Sequence, residues 1–377
     1  MIAAAKITLL ALAILLLIAT VLPFVRSPYW WVRMFDFPRA QIAVGMLVVL
    51  GLYGIVNLGV AQAKPYEWVV FALLGLGTLY QVARMAPYTP LASVQTVDAS
   101  DGVDRERRLR FVVSNVLMEN REIDRWVRVV RAEDPDVIAA VETDAWWAEQ
   151  IREALEADYP HAIEAPQDDT YGMLLYSRFP LLDAEIRHLV EDSVPSIFTR
   201  AELPSGDTVQ IVLLHPRPPR PDIQQNSTWR DAELVLAANE VQDLDPPIMV
   251  AGDLNDVAWS RTTRLFQELS GLLDPRIGRG LFSTFHADHW YLRYPLDHVF
   301  HSDDLTLVEL RRLDSIGGDH FPMLIELALE EGREREQDTP DAEADDREVA
   351  EEMVEDAAEE KAEETSAEQH EREREDQ

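Results

Sequence analysis

Three long apolar runs at the amino-terminal end constrain this chain more than any other feature. The first, "ITLLALAILLLIATVLPFV", covers Ile7 to Val25 without a charged residue. It is long enough to cross a hydrocarbon core of roughly 30 Å as a helix. A removable signal peptide has a shorter apolar stretch and a small-x-small cleavage site, and no such site follows here. A second run extends from Gln41 to about Ala61, and a third from Trp68 to about Ala83 with Gly75 and Gly77 inside it. The segment between the first two, "SPYWWVRMFDFPR", places Tyr29, Trp30 and Trp31 where an interfacial aromatic belt belongs. Residues 1–87 are therefore expected to form a membrane anchor with transmembrane helices over about 7–25, 41–61 and 68–83. Arg26, Arg33, Arg39 and Arg84 fall on one side, and Lys6, Lys64 and the amino terminus on the other. This slight bias favours a cytoplasmic domain but leaves the membrane face open.

The remainder divides by composition. Residues 88–108 contain Pro, Ser and Asp and read as a linker. Residues 109–329 carry the periodicities of a folded domain. From Glu330 onward the chain turns to Glu, Asp, Ala and Arg, as in "EEMVEDAAEEKAEET". Residues 330–377 are thus expected to be an acidic tail, disordered or transiently helical, because their charge leaves little apolar surface to bury. The formal net charge of the chain is −34. Such a balance argues against a protein that grips long nucleic acid through Lys and Arg. There is no cysteine, which excludes disulfides, thiolate metal sites and a cysteine nucleophile.

Within 109–329, apolar strand patterns alternate with amphipathic helical ones. "LRFVVSNVL", "DVIAAVE", "GMLLYS", "IFTRAEL", "TVQIVLLH", "PIMVAGD", "LDHVFHS", "LTLVELRRL" and "FPMLIELAL" read as strands. Ile123–Arg131, Asp144–Ala157, Thr228–Val241 and Arg261–Leu269 read as helices. Two stretches of consecutive strands interrupt the βαβ rhythm. This pattern predicts an α/β fold of two packed mixed sheets flanked by helices, not one doubly wound sheet.

Polar residues recur at the strand exits: Asn115, Glu142, His215, Asp253 with Asn255, Asp297, and the pair Asp319-His320. Each alone has an ordinary structural role, as a turn residue, a helix cap or a loop histidine. Together they suit phosphoester hydrolysis. A hard cation such as Mg²⁺ takes carboxylate and amide oxygens, which Glu142 and Asn115 supply. Asp253 can hold the attacking water while Asn255 donates to the phosphate. Asp297 beside His320 orients the imidazole and favours its protonation.

The motifs "SNVLMEN", "DPDVIAAVET", "LLHPRPP", "VAGDLND", "PLDHVF" and "GGDHFP", in this order, resemble the endonuclease/exonuclease/phosphatase superfamily. The resemblance spans Arg110 to Leu327. It implies a four-layer α/β sandwich and hydrolysis dependent on Mg²⁺ or Mn²⁺. Carried over by motif, Glu142 is the principal metal ligand, Asn115 supports it, and Asp319 completes the metal or water shell. Asp253 orients or activates water, Asn255 binds phosphate, His215 assists phosphate binding or leaving-group protonation, and Asp297 orients His320. The three-span anchor followed by this domain is similar to a group of bacterial membrane proteins in the superfamily, which places the chain in the inner (plasma) membrane. Leu117 and Met118 stand where several nuclease members carry an acidic residue, which weakens a two-metal reading. Arg217, Arg220 and Arg230 form the basic cluster near a proposed site residue. "HADH", His286 to His289, reads as a substrate-side loop more than a zinc site, and Trp146 and Trp147 as core or helix-face residues more than a base-stacking platform.

The expected substrate is a phosphoester: a lipid headgroup, a small phosphate ester or nucleic acid. No obligate protein partner is evident. The competing reading is a catalytically inactive binding or scaffold module that retains the fold.

Overall fold

The three apolar runs form three long helices. The computed structural model describes residues 2–60, 64–219 and 225–375. Helices α1 (Ile2–Val21), α3 (Arg39–Val60) and α4 (Pro65–Met85) are each long and apolar enough to cross a membrane. A single helical turn, α2 (Trp30–Arg33), lies between the first two. The second expected span ends at Ala61, which lies outside the described residues. The three helices bury a seam of Leu9, Ala13, Met46, Val49, Tyr53 and Leu74. They leave Ile7, Leu15, Leu47, Ile55, Trp68, Leu76 and Leu79 exposed. An apolar surface of that extent marks an interaction surface, for a membrane or for another protein. Of the two glycines in the third run, only Gly77 meets a neighbouring helix, where an added Cβ would lie 2.9 Å from Met46 Cε.

Two mixed sheets follow. The six-stranded sheet has the order β10-β11-β1-β2-β4-β3, and the five-stranded sheet β5-β6-β7-β8-β9. The strands are β1 (Arg108–Asn115), β2 (Val137–Val141), β3 (His161–Ala165), β4 (Met173–Ser177), β5 (Leu181–Arg187), β6 (Ser196–Glu202), β7 (Thr208–Leu214), β8 (Ile248–Asp253), β9 (Asp297–His301), β10 (Leu305–Arg312) and β11 (Met323–Leu329). The sequence pattern missed β3 and β5. Both lie at sheet edges and are largely exposed on β5, so neither carries the apolar run that marks a buried strand.

Residue alternation sorts each central strand between two cores. Phe111, Val113, Ala139, Ile211, Leu213, Met249 and Ala251 face the space between the sheets. Val112, Ile138 and Ala140 turn outward against Trp126 of α5 (Ile123–Ala132) and Trp147 and Ile151 of α6 (Ala145–Leu155). Val212, Leu214 and Val250 turn outward against α7 (Thr228–Gln242) and α8 (Arg261–Ser270). Helices, sheet, sheet and helices make the four layers.

Two expectations about the flanks are corrected. Residues 88–108 are not a free tether. The Tyr88 hydroxyl donates to the Ala258 carbonyl at 2.6 Å, Thr96 Oγ1 lies 2.9 Å from His301 Nε2, and Val97 N donates to Gln337 Oε1 at 2.9 Å. The acidic tail, expected to be disordered or transiently helical, contains a helix, α9 (Ala344–Glu375), which packs on α7 and α8. Val349, Ala350, Met353 and Val354 join the core of that layer, and Ala357 is buried. These residues are spaced to share one helical face. Two of these five residues are alanines, so composition alone hides the stripe.

Candidate active site

Strand direction brings the polar exits together. β1 and β2 are parallel, so Asn115 at the end of β1 pairs with Val141, one residue before Glu142. β7 and β8 are parallel in the other sheet, and Leu214, the residue before His215, pairs with Gly252, the residue before Asp253. β9 and β11 run antiparallel to β8 and β1, so their starts lie at the same edge. Asp297 pairs directly with Asp253, and His320 precedes β11. Gly252 is required for the parallel pair to close: its φ is +145°, and a Cβ there would lie 1.8 Å from the Leu214 carbonyl oxygen. Leu117, Glu142 and Asn255 have φ of 56°, 60° and 52°, a left-handed conformation that costs energy in residues with side chains. Each redirects the chain as it leaves a strand at this edge.

The side chains interlock across both sheets. Asn115 Nδ2 donates to Glu142 Oε1 at 2.8 Å and to Asp253 Oδ2 at 3.0 Å. Its Oδ1 accepts from Leu117 N at 2.9 Å. Asn115 therefore presents nitrogen to the carboxylates. It braces Glu142, and a role as an oxygen ligand requires its amide to turn over. Asp253 Oδ1 accepts from Asn255 N at 2.9 Å. His320 Nδ1 lies 2.7 Å from Asp297 Oδ2, and its Nε2 lies 3.5 Å from Asp253 Oδ2. Asn255 is steadied from both ends: its Nδ2 donates to the Pro216 carbonyl at 3.0 Å, and its own carbonyl accepts from Arg230 Nη1 at 2.9 Å. Asp319 is half-buried beside this group, and its charge acts on both Glu142 and His320.

Burial and charge then set protonation. Burial pushes the Glu142 carboxyl up to about 7, against the Asn115 hydrogen bond. Burial also raises Asp253, opposed by the neighbouring His320. For His320, burial alone would lower the pKa, but Asp297 and Asp253 outweigh it and raise it to about 10. His320 is thus an imidazolium at neutral pH, held charged by its two carboxylate neighbours. Burial lowers His215 to about 4, so it is neutral there. In that state the imidazole offers one N–H to phosphate or a lone pair to a metal.

The donor set fits a divalent cation. Ligand atoms of Glu142, His215 and Asp253 lie within 4.8 Å of one another, as do those of Asp253, Asp297 and His320. In the second set His320 already carries a proton and is hydrogen-bonded, so the first is the better cradle. Both ring nitrogens of buried His215 and Asp297 Oδ1 lack a hydrogen-bond partner among the described residues. Unsatisfied buried polar atoms at one spot call for a bound group.

Other expectations sort differently. Arg217 pairs with Glu191 and lies 5.1 Å over the Tyr171 ring, whereas Arg230 is buried against Asp231 and Asp256. Arg220 lies outside the described residues. The basic cluster is therefore dispersed into structural pairs. His286 and His289 stack at 4.4 Å without a third ligand group among the described residues. Trp147 is buried in the core, and Trp146 lies under Arg121. One supporting residue gave no sequence signal. Arg33, from α2, lies 3.4 Å from Asp256 Oδ2 and donates to Thr262 Oγ1 at 2.8 Å. No local motif announces a contact across more than two hundred residues.

The profile of the Endonuclease/Exonuclease/phosphatase family matches residues 112–320, more than half of the chain. The chain belongs to this family. Endonuclease/exonuclease/phosphatase proteins act on phosphoester bonds, generally with a divalent metal. A UPF0294 protein of Vibrio cholerae serotype O1 is 23% identical over 275 residues, covering 70% of this chain and 92% of the relative. Among solved structures, endonuclease/exonuclease/phosphatase proteins of Bacteroides vulgatus and Bacteroides thetaiotaomicron share 17% and 18% identity. Each covers 59% of this chain, and 99% and 98% of its own chain, both with a TM-score of 0.49.

Proposed function

We propose that the chain is a membrane-anchored, divalent-metal-dependent phosphoester hydrolase. The observation that carries this reading is the position of Asp253, within coordination reach of Glu142 and His215 on one side and of the Asp297–His320 pair on the other. Glu142, Asp253 and His215 would hold Mg²⁺ or Mn²⁺, with Asn115 bracing Glu142 and Asp319 adding negative charge. A bound cation supplies positive charge at a phosphate oxygen and makes water more acidic. The imidazolium of His320, fixed by Asp297, donates a hydrogen bond to a second phosphate oxygen, and the Asn255 amide supports the phosphate. Asp253, which holds the cation through one carboxylate oxygen, accepts a proton from the attacking water through the other. As the water oxygen bonds to phosphorus, the bond to the leaving oxygen breaks. That oxygen takes a proton from His320 or from water.

The three apolar helices support an inner-membrane location. The test uses the full chain in detergent micelles with bis(p-nitrophenyl) phosphate. Hydrolysis is expected with Mg²⁺ or Mn²⁺ and should stop on adding EDTA. Asp253→Ala and His320→Ala should each lose at least about a hundredfold in rate. Unchanged rates in both variants would sink the assignment and favour a binding module.

A further inference from the structure

One exposed apolar feature of the domain lies beside the anchor. Residues 285–294 form a narrow loop whose base is closed by backbone bonds: Phe285 N donates to the Tyr294 carbonyl at 3.0 Å, and His286 N to the Leu292 carbonyl at 3.0 Å. Its tip carries Trp290, 78% exposed, with Tyr291 and Leu292 also exposed. Among the described residues no core cluster takes them, and a tryptophan, tyrosine and leucine held out in water gain nothing from that position.

The base of the loop touches the active site and the anchor at once. Phe285 packs on His320 with ring centroids 5.0 Å apart, and Ala287 N donates to the Asp319 carbonyl at 2.7 Å. Phe285 meets Tyr294 at 6.5 Å, and Tyr294 meets Phe37 at 5.5 Å. Phe37 lies two residues before α3, and Gln41 Nε2, in the first turn of α3, donates to the Tyr291 carbonyl at 2.7 Å. The tip is thereby tied to the first turn of an apolar helix, where a spanning segment leaves the hydrocarbon. Tyr29, Trp31 and Met34, exposed in the segment between α1 and α3, belong to the same end of the helix bundle. Trp and Tyr with apolar neighbours at that level are the residues that settle into a lipid interface.

We infer that the Trp290–Leu292 tip inserts into the bilayer interface and that the substrate is a phosphoester borne by a membrane lipid, presented to the site from that interface. The inference rests on the hydrolase reading above and names its substrate class. Three aromatic contacts separate His320 from Phe37, so the site lies close to the headgroup layer. The anchor holds this distance constant, since Arg33 and Asp36 of the same membrane-proximal segment bond Asp256 and Trp259. An exposed aromatic tip also suits base stacking. However, that mode relies on a basic groove for the phosphate backbone, and the domain from Leu109 to Leu329 is net acidic.

The test reconstitutes the full chain into bilayers of a bacterial polar-lipid extract with Mg²⁺ or Mn²⁺. Release of water-soluble headgroup phosphoesters or phosphate is followed alongside bis(p-nitrophenyl) phosphate hydrolysis by the same sample, and plasmid or single-stranded DNA in a third arm. The wild type is expected to hydrolyse both lipid and soluble ester. The triple variant Trp290→Ser, Tyr291→Ser, Leu292→Ser should lose at least about tenfold on bilayer lipid and keep its rate on the soluble ester. Brominated lipid should quench wild-type fluorescence more than that of Trp290→Phe. Soluble-ester hydrolysis without lipid hydrolysis, DNA cleaved in preference to lipid, equal quenching, or a parallel loss or retention of both rates in the triple variant would each overturn the inference while leaving the hydrolase reading intact. Loss of that reading shows separately, as no metal-dependent hydrolysis in any arm.

Discussion

At the scale of single residues, the site is a set of ionisable groups whose environments push them apart. Glu142 and Asp253 are raised by burial, His215 is held neutral, and His320 is held charged by two aspartates. Such divergence is how one site supplies a metal ligand, a proton acceptor and a cation together. The raised Glu142 predicts a specific pH dependence. Its folded pKa, about 7, lies above the ordinary value of 4.5, so the metal-free protein binds an extra proton between those values. Without metal, stability from this group falls as pH rises from 4.5 through about 7, because the buried carboxylate is left charged. Metal binding displaces that proton, so affinity should be constant above neutrality and weaken below it, by up to about tenfold per pH unit. Calorimetric titration of Mn²⁺ into the full chain across this range measures it. Glu142→Gln should remove most of the affinity and reduce its pH dependence, the remainder belonging to Asp253, which burial also raises. The residues themselves were legible as polar exits from apolar strands. Their protonation was not, because it depends on which carboxylates from the opposite sheet stand beside each imidazole.

At the scale of elements, the central strands were plain in the sequence because burial on both faces demands continuous apolar runs. The edge strands β3 and β5 lacked that signal. The helix α9 was hidden for another reason: its apolar stripe is thin and partly alanine, set among many carboxylates. Its contacts with α7 and α8 make it part of the fold, and Lys361 Nζ, donating to the Val190 carbonyl at 2.7 Å, fastens it beyond the stripe. Ala350→Asp should therefore cost about 2 kcal/mol by placing an unpaired carboxylate in the core. A surface control such as Glu352→Ala should stay within about 0.5 kcal/mol. Denaturant melts of the two variants in detergent separate the outcomes, and equal midpoints would return the tail to the solvated state its composition suggests.

At the scale of the whole molecule, the anchor and the hydrolase domain share structure. Arg33 reaches Asp256, Trp259 Nε1 donates to the Asp36 carbonyl at 2.7 Å, and Arg84 Nη2 donates to the Trp259 carbonyl at 2.5 Å. Asp256 and Trp259 follow the Asp253–Asn255 turn, so the apolar helices and the segment between them brace the stretch that carries the amide proposed to bind phosphate. Deleting residues 1–87 should leave Trp259 exposed and Asp256 short of a partner. The shortened chain is expected to melt earlier and to lose activity beyond the loss of membrane attachment. Arg33→Ala in the full chain should lower the rate on the soluble ester by about tenfold, with less effect from Arg33→Lys. An Arg33→Ala enzyme with the wild-type rate would show the anchor to be a tether only.

The sequence by itself determined the three apolar helices, the two-sheet α/β class and the identity of the polar strand exits. Those properties follow from local pattern: length of apolar run, period of alternation, and the place where a run stops. Tertiary structure alone decided that Asp253 sits between Glu142 and His320, that Asn115 offers nitrogen to the carboxylates, and that His215 is neutral while His320 is charged. It also decided that an exposed tryptophan loop stands at the first turn of α3. Each of these is a distance between residues far apart in the chain. Packing of one sheet on the other, and of the domain on its anchor, fixes those distances, and no local pattern encodes them.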